Sequence, residues 1–414
     1  MIRLNSFHFA NQICTGAPVS KLIWFLAVVC TTGLAHPRHV DGREFDWSGN
    51  ISFQTRVFGQ APAYAGQRRS DGSIVLAPEF STTWSRGTRA LVFEGFMRWD
   101  AVNSRRTHVD IRELYWEAVW DVIELRVGMA HVFWGVTESQ HLVDVVNQTD
   151  LVERADGESK LGQAMARLTL VQSWGTLDLY ALPWFRKRTF PGKKGRLRSP
   201  VPVSDDVLFD SGRMKRHVSL AGRWSRSIDA FDVGLSHFWG TSRDPDLLFS
   251  PQGELIAIYD QIHQSGLELQ AIAGGWLLKL EAINRRGQGK RFLASTAGFE
   301  YTFSNVKRSG LDIGVLLEYL WDEREEASSP FTEDLFFGTR VALNDVQSSV
   351  LLAGVVVDRT SSTTLFLMEA SRRVGEKWKI EIEARGFVGA NSKDDPFYSF
   401  RRDGHLEMKL ARWF

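Results

Sequence analysis

The chain has 414 residues, 43% of them hydrophobic, with 50 Lys and Arg against 49 Asp and Glu and a net charge of +1. The length allows one large domain or two to three ordinary ones, and so even a charge balance excludes nucleic acid as a partner held by bulk electrostatics. After residue 35 no apolar run approaches the roughly 20 residues of a membrane-spanning helix, so a membrane form of this chain must be a closed β-barrel.

Residues 1–35 carry Arg3 and Lys21 but no acid, and Leu22 to Leu34 is an apolar run followed by the small-x-small site Gly33-Leu34-Ala35. This reads as a secretory signal peptide, too short to span a bilayer. Val29 before Cys30 argues against a lipoprotein. Both cysteines, Cys14 and Cys30, fall in the leader, and its removal takes the net charge from +1 to −1. Residues 36–414 hold no linker-like stretch and read as a single domain.

From residue 46 onward side chains alternate at the period of a strand. Strands are expected near 46–59, 74–85, 89–100, 107–120, 122–135, 163–173, 176–186, 214–225, 229–240, 255–272, 275–286, 292–303, 310–322, 335–345, 349–358, 362–372, 376–388 and 405–414. That is eighteen, or sixteen if segments merge. Connections alternate between short (86–88, 121, 174–175, 226–228, 273–274, 346–348, 373–375) and long (60–73, 136–161, 187–213, 241–254, 323–334, 389–404), the asymmetry of barrels with short periplasmic turns and long extracellular loops. In 376–386, Trp378, Ile380, Ile382 and Ala384 share one face while Lys377, Lys379, Glu381, Glu383 and Arg385 share the other. Lipid outside and a wet lumen inside would accept such faces. Tryptophan separates this from a soluble sandwich: Trp84, Trp120, Trp174, Trp224, Trp276, Trp378 and Trp413 lie at short-turn ends, and Trp99, Trp134, Trp184, Trp239 and Trp321 at long-loop ends. Two bands of indoles suit two membrane interfaces.

The final segment, His405 to Phe414, resembles the closing strand of outer-membrane β-barrels, whose terminal Phe addresses the insertion machinery; Arg412 departs from that pattern. The strings Arg112-Glu113-Leu114-Tyr115, Leu125-Arg126-Val127-Gly128, Trp134-Gly135 and Asp144-Val145-Val146-Asn147-Gln148-Thr149-Asp150 resemble a family of proteobacterial outer-membrane porin-like proteins, with Gln148 where the family has Pro. The resemblance covers about residues 110–152 and the last strand. It implies an all-β transmembrane antiparallel barrel in the outer membrane of a Gram-negative cell, acting as a channel.

In general porins the loop after the fifth strand folds inward, which makes the acidic segment 136–161 (Glu138, Asp144, Asp150, Glu153, Asp156, Glu158) a constriction facing wall bases, or else an exposed loop. Asp144, Asn147 and Asp150 also suit a turn-capping set; they lack the spacing of an EF-hand. The expected lumen wall carries Arg56, Arg98, Arg126, Arg167, Arg223, Arg285, Arg340 and Arg385 against Glu94, Glu124, Glu281, Glu300, Glu318, Glu381 and Glu407. The basic segment 186–198, with Lys187, Arg188, Lys193, Lys194, Arg196 and Arg198, is either a solvated loop or an outer rim that gathers anions or lipopolysaccharide phosphates. The mature chain shows no enzyme, cofactor or metal motif. The reading is a passive porin for small hydrophilic solutes, anions among them. The alternatives are an exporter of an acidic polysaccharide, since the Arg-rich wall is similar to alginate-export barrels, a rim-active enzyme, or an adhesin. Nothing in the sequence specifies an oligomeric state.

Overall fold

A strand whose two faces differ in polarity needs two different surroundings, and a sheet rolled on itself supplies them. The computed structural model describes residues 38–40, 43–325, 329–361, 363–393 and 395–414; the leader expected at 1–35 lies outside the described residues. Among those described, eighteen antiparallel strands form one closed barrel. They are β1 (Arg43–Phe58), β2 (Ser70–Trp84), β3 (Arg89–Asp100), β4 (His108–Trp120), β5 (Ile123–Ala130), β6 (Gln163–Gln172), β7 (Gly175–Leu182), β8 (Ser219–Ile228), β9 (Phe231–Thr241), β10 (Gln261–Ala273), β11 (Trp276–Arg286), β12 (Phe292–Phe303), β13 (Asp312–Asp322), β14 (Glu333–Ala342), β15 (Val350–Asp358), β16 (Thr364–Val374), β17 (Trp378–Val388) and β18 (His405–Trp413). Each pairs with its chain neighbour, and β18 pairs back onto β1, from Asn50 opposite Trp413 to Phe58 opposite His405. Closure leaves no open sheet edge. Arg56 and Glu407 are ion-paired inside the barrel across this seam.

The strands occur where the alternation placed them, with two instructive differences. The expected strand 122–135 stops at Ala130, where the chain turns inward. The expected strand 255–272 breaks at Asp260: Leu255–Tyr259 leaves the barrel and joins Asp246–Phe249 and Val203–Phe209 in a small three-stranded sheet. Its Ala257, Tyr259 and Phe209 pack on Phe185, a dry contact the barrel wall would not offer.

Connections at one end are short throughout. Asp121 (φ 36), Asp229 (φ 51) and Gly274 (φ 61) supply the left-handed backbone that two-residue hairpin turns require. At the other end 59–69, 131–162, 183–218, 242–260, 323–332 and 389–404 are long, but 101–107, 287–291 and 359–363 are short. The strict alternation of length therefore gives way to a weaker rule. A hairpin closes in a few residues at either end, and length appears where a segment folds back over or into the lumen.

Outward positions are apolar around most of the barrel, with Phe53, Val127, Leu235, Leu278, Phe337 and Leu406 exposed. Trp47, Trp99, Trp120, Trp174, Trp184, Trp239, Trp276, Trp378 and Trp413 are exposed as well. Trp134 is the exception to the expected bands. It is buried inside the barrel, edge-on to Tyr180 at 5.7 Å between ring centroids. It belongs to an internal apolar cluster in which Val143, Val145 and Val146 meet wall residues Met165, Leu182, Phe238, Ile262, Ile283 and Phe292. The interior is thus not uniformly wet. Part of the wall is apolar because a loop covers it.

Faces can be tested by charge. Val355→Arg, outward on β15, should destabilise the barrel in phospholipid vesicles by about 2–4 kcal/mol, whereas Ser371→Arg, inward on β16, should cost far less; urea unfolding followed by tryptophan fluorescence compares them.

Candidate functional site: a loop across the lumen

The segment 131–162, between β5 and β6, runs inside the barrel. Its first requirement is partners for backbone groups that no strand pairs, because a buried amide without an acceptor is costly. Wall carboxylates provide them. Glu268 on β10 accepts from the amide of Gly135 at 2.8 Å. Glu281 on β11 accepts from the amides of Val136 (2.7 Å), Thr137 (3.0 Å) and Val143 (3.2 Å) and from the Thr137 hydroxyl (2.7 Å). Glu318 on β13 accepts from the amides of Glu138 and Ser139, both at 2.8 Å. Glu268 and Glu281 stand directly opposite each other on paired strands, an arrangement unfavourable for like charges. The donors from the loop, together with Arg223 on Glu268 at 2.6 Å, remove that conflict. Gly135 has φ 144, and a Cβ there would lie 3.0 Å from Glu281 Oε1 and His141 Nδ1. The Trp-Gly pair is therefore where the chain leaves the wall.

From this end the loop reaches the rest of the lumen. Glu138 pairs with Arg340 of β14 at 2.6 Å and lies 3.8 Å from Lys279 of β11. Glu153 pairs with Arg98 of β3 at 2.6 Å, and its carbonyl accepts from Arg56 of β1 at 2.9 Å. Arg154 pairs with Asp156, Glu369 and Glu383, and Arg385 of β17 bridges Asp156 and Glu369. The Asp156, Glu369 and Glu383 carboxylates converge within 4.8 Å, with these two guanidinium groups compensating them. The loop thus touches β1 and β3, β10 to β14, and β16 to β17, which are separate sectors of the wall.

Three residues of the segment hold its own shape. Asn147, fully buried, accepts from the amide of Val132 and donates to the carbonyls of Ala130 and Leu161, tying the two ends of the loop together. Asp144 pairs with Lys160 at 3.2 Å. Asp150 takes Arg112 at 3.1 Å and the Thr189 hydroxyl at 2.6 Å. Arg112 is placed by a bulge. β4 and β3 slip register between Glu94 and Gly95, so Arg112 is the extra residue, and it is wholly buried beside Asp110. A bulge re-aims a side chain in this way, and strict alternation would have sent Arg112 and Glu113 to opposite faces.

The remaining wall arginines lie away from the loop. Arg126 pairs with Glu117 at 2.5 Å and Arg167 with Asp178 at 2.8 Å. The basic segment lies largely folded over the mouth and is paired. Lys187 meets Asp205 (3.1 Å), Arg188 meets Asp244 (2.5 Å), Lys193 meets Glu254 (3.1 Å), and buried Arg196 meets Asp403 (2.6 Å). Arg198 lies over the Tyr64 ring at 4.3 Å. Lys194 is exposed and shares the rim of a basic pocket with Arg56, Arg68, Arg106 and Asp71. The acids that neutralise this segment come from distant positions, so sequence reasoning could not pair them. Glu268 was also missed, since nothing local marks an acid that awaits a loop amide.

Several loop groups bear on the pH range of docking, and burial together with Arg112 lowers His131 from 6.5 to about 3, so that it docks neutral. Burial would lower His141, but Glu158 at 3.5 Å and Glu281 at 3.8 Å raise it from 6.5 to about 10. Burial would raise Glu153, but Arg98, Arg106, His108 and Arg112 bring it from 4.5 down to about 2. The raised base stabilises fully below 6.5 and loses its contribution as pH rises through about 10; the depressed acid stabilises fully above 4.5 and loses it as pH falls through about 2.

No family model matches the sequence, and a search of curated proteins finds no match. The fold is similar to that of a BenF-like porin from Pseudomonas fluorescens Pf-5, at 11% identity over 91% of this chain and 98% of that one, with a TM-score of 0.53. It is similar as well to Pseudomonas aeruginosa OpdQ, at 10% identity over 91% and 98% of the two chains, with a TM-score of 0.50. At these identities the likeness is one of fold, a porin-like barrel.

Glu281→Ala should leave the amides of Val136, Thr137 and Val143 unpaired and weaken docking by about 1–3 kcal/mol for each buried donor, seen as faster hydrogen exchange over 135–143 with the strands still protected. In the unaltered protein that protection should be greatest near pH 6.5, falling at lower pH because His131 is docked neutral and at higher pH as His141 loses its proton.

Proposed function

We propose that this protein is an outer-membrane channel through which small hydrophilic solutes diffuse, with the 131–162 loop setting the size limit. The observation that carries this reading is the loop's contact with opposite sectors of one closed wall, through Glu153 to Arg98, Glu138 to Arg340 and Asp156 to Arg385. A segment so placed narrows the passage. Below the loop, Thr176, Arg223, Ser225, Asp232 and Glu268 line a polar cavity of about 510 Å³, where wall groups replace part of a solute's hydration. No chemical step is needed for this role, and the reading is non-enzymatic.

The exposed apolar belt favours lipid as the outer surroundings, with the short turns periplasmic and the long loops outside. Phe414 would then be the contact for the insertion machinery and the loop end the one that meets lipopolysaccharide. Solute preference follows from how the charges are spent. The bases at the waist are paired, which leaves local fields rather than a strong one across the passage. An anion preference would come from the mouth, where Arg68 and Lys194 are exposed without an acid partner among the described residues.

Planar-bilayer recording of the refolded protein should show stepwise, ion-permeable openings, and deletion of residues 138–158 should raise unit conductance. A silent barrel would sink the channel reading, and unchanged conductance after the deletion would sink the role of the loop.

A further inference from the structure

Acids that face each other across the wall are compensated in two places already described. Glu268 and Glu281 have loop amides and Arg223, and Glu369 and Glu383, opposite each other on β16 and β17, have Arg154 and Arg385. A third row has no such base. Glu79 on β2 lies opposite Glu94 on β3, and Glu94 lies opposite Glu113 on β4, beside the bulge that displaces Arg112. The row faces the lumen on the short-turn side of Arg98. Side chains directly opposite on paired strands stand about 5 Å apart, and like charges so placed repel.

The groups around this row do not neutralise it. Glu79 accepts from the Ser48 hydroxyl at 3.2 Å, and Glu113 accepts from the amide of His131 at 2.9 Å. The His131 ring is 3.8 Å from Glu113 but docks neutral, with its Nε2 2.9 Å from the Lys160 carbonyl. Arg126, farther along the wall, is taken by Glu117 and Glu124. Glu94 is only 7% exposed, and its Oε2 is buried with no hydrogen-bond partner. A buried carboxylate oxygen costs its full desolvation unless a donor reaches it, and no wall donor does. The oxygens of the three acids do not converge within 4.8 Å as those of Asp156, Glu369 and Glu383 do, which is too open for a bare metal ion to touch all three. A primary ammonium suits the row better, because its three N–H donors can bridge acids on three strands. One step toward the short turns, Val92 lies opposite Tyr115 and offers an apolar seat for an alkyl chain.

We propose that Glu79, Glu94 and Glu113 form a subsite for the ammonium group of an aliphatic amine, in the short-turn half of the lumen. This deepens the channel reading and rests on it, since the amine reaches the row from the lumen past half-buried Glu79. The mouth does not bar a cation, because Lys187, Arg188, Lys193 and Arg196 are paired there.

The probe is putrescine, compared with its fully N-methylated analogue, which keeps the charge and has no N–H. Putrescine should bind the purified protein in detergent by titration calorimetry, and should lower unit conductance in planar bilayers over the same concentrations; the analogue should do neither. Glu94→Gln and Glu79→Gln keep the side-chain size, and each should raise the putrescine dissociation constant about tenfold or more. Glu381→Gln, an acid held by Lys379 and Lys409, should leave it unchanged. Absence of putrescine binding, equal binding of the analogue, or an unchanged dissociation constant in both row variants overturns the inference. So does calcium that displaces putrescine at equal concentration, since the row would then be a metal site. A barrel that binds putrescine in calorimetry yet passes no current sinks the channel reading and leaves the amine site standing.

Discussion

The backbone of residues 135–143 lies inside the barrel with no strand beside it, and everything distinctive about the lumen follows from how its amides are satisfied. Glu268, Glu281 and Glu318 accept them. A carboxylate accepts several hydrogen bonds at once, so three side chains on three strands fix a long segment against the wall. The same acids would repel one another across β10 and β11 without the loop. Wall and loop are therefore each incomplete alone.

Two other interactions complete this docking. Val143, Val145, Val146 and Trp134 cover an apolar part of the wall, which gives the loop the stabilisation that burial of hydrocarbon provides. Ion pairs with Arg98, Arg340 and Arg385 then hold its acidic side chains at points around the lumen. Asn147 closes the loop on itself by spanning Val132, Ala130 and Leu161. Its place in the Asp144-to-Asp150 string is thus explained by architecture.

Most of the barrel was legible before the structure. β3 and β12 have the bounds that alternation predicts, 89–100 and 292–303, because a strand with one lipid-facing and one lumen-facing comb repeats strictly at period two. The failures share a cause. Arg112 sits in a bulge, Trp134 turns inward, and Leu255–Tyr259 breaks away at Asp260. In each case a long-range partner outweighs the local pattern: Asp150 for Arg112, Tyr180 for Trp134, Phe185 for Tyr259. In the basic segment 186–198 too, the partners Asp205, Asp244, Glu254 and Asp403 come from outside its own stretch.

The amino-acid sequence by itself determined the strands, their two faces and the identity of the segment after β5 as an acidic insertion, because side-chain alternation and chain connectivity are local properties. Only the tertiary structure decided which charges meet, which part of the lumen is dry, and that Leu255–Tyr259 leaves the barrel for a small sheet. Those depend on strand register and on loops crossing between strands far apart in the chain, where a shift of one residue exchanges every inward side chain for an outward one.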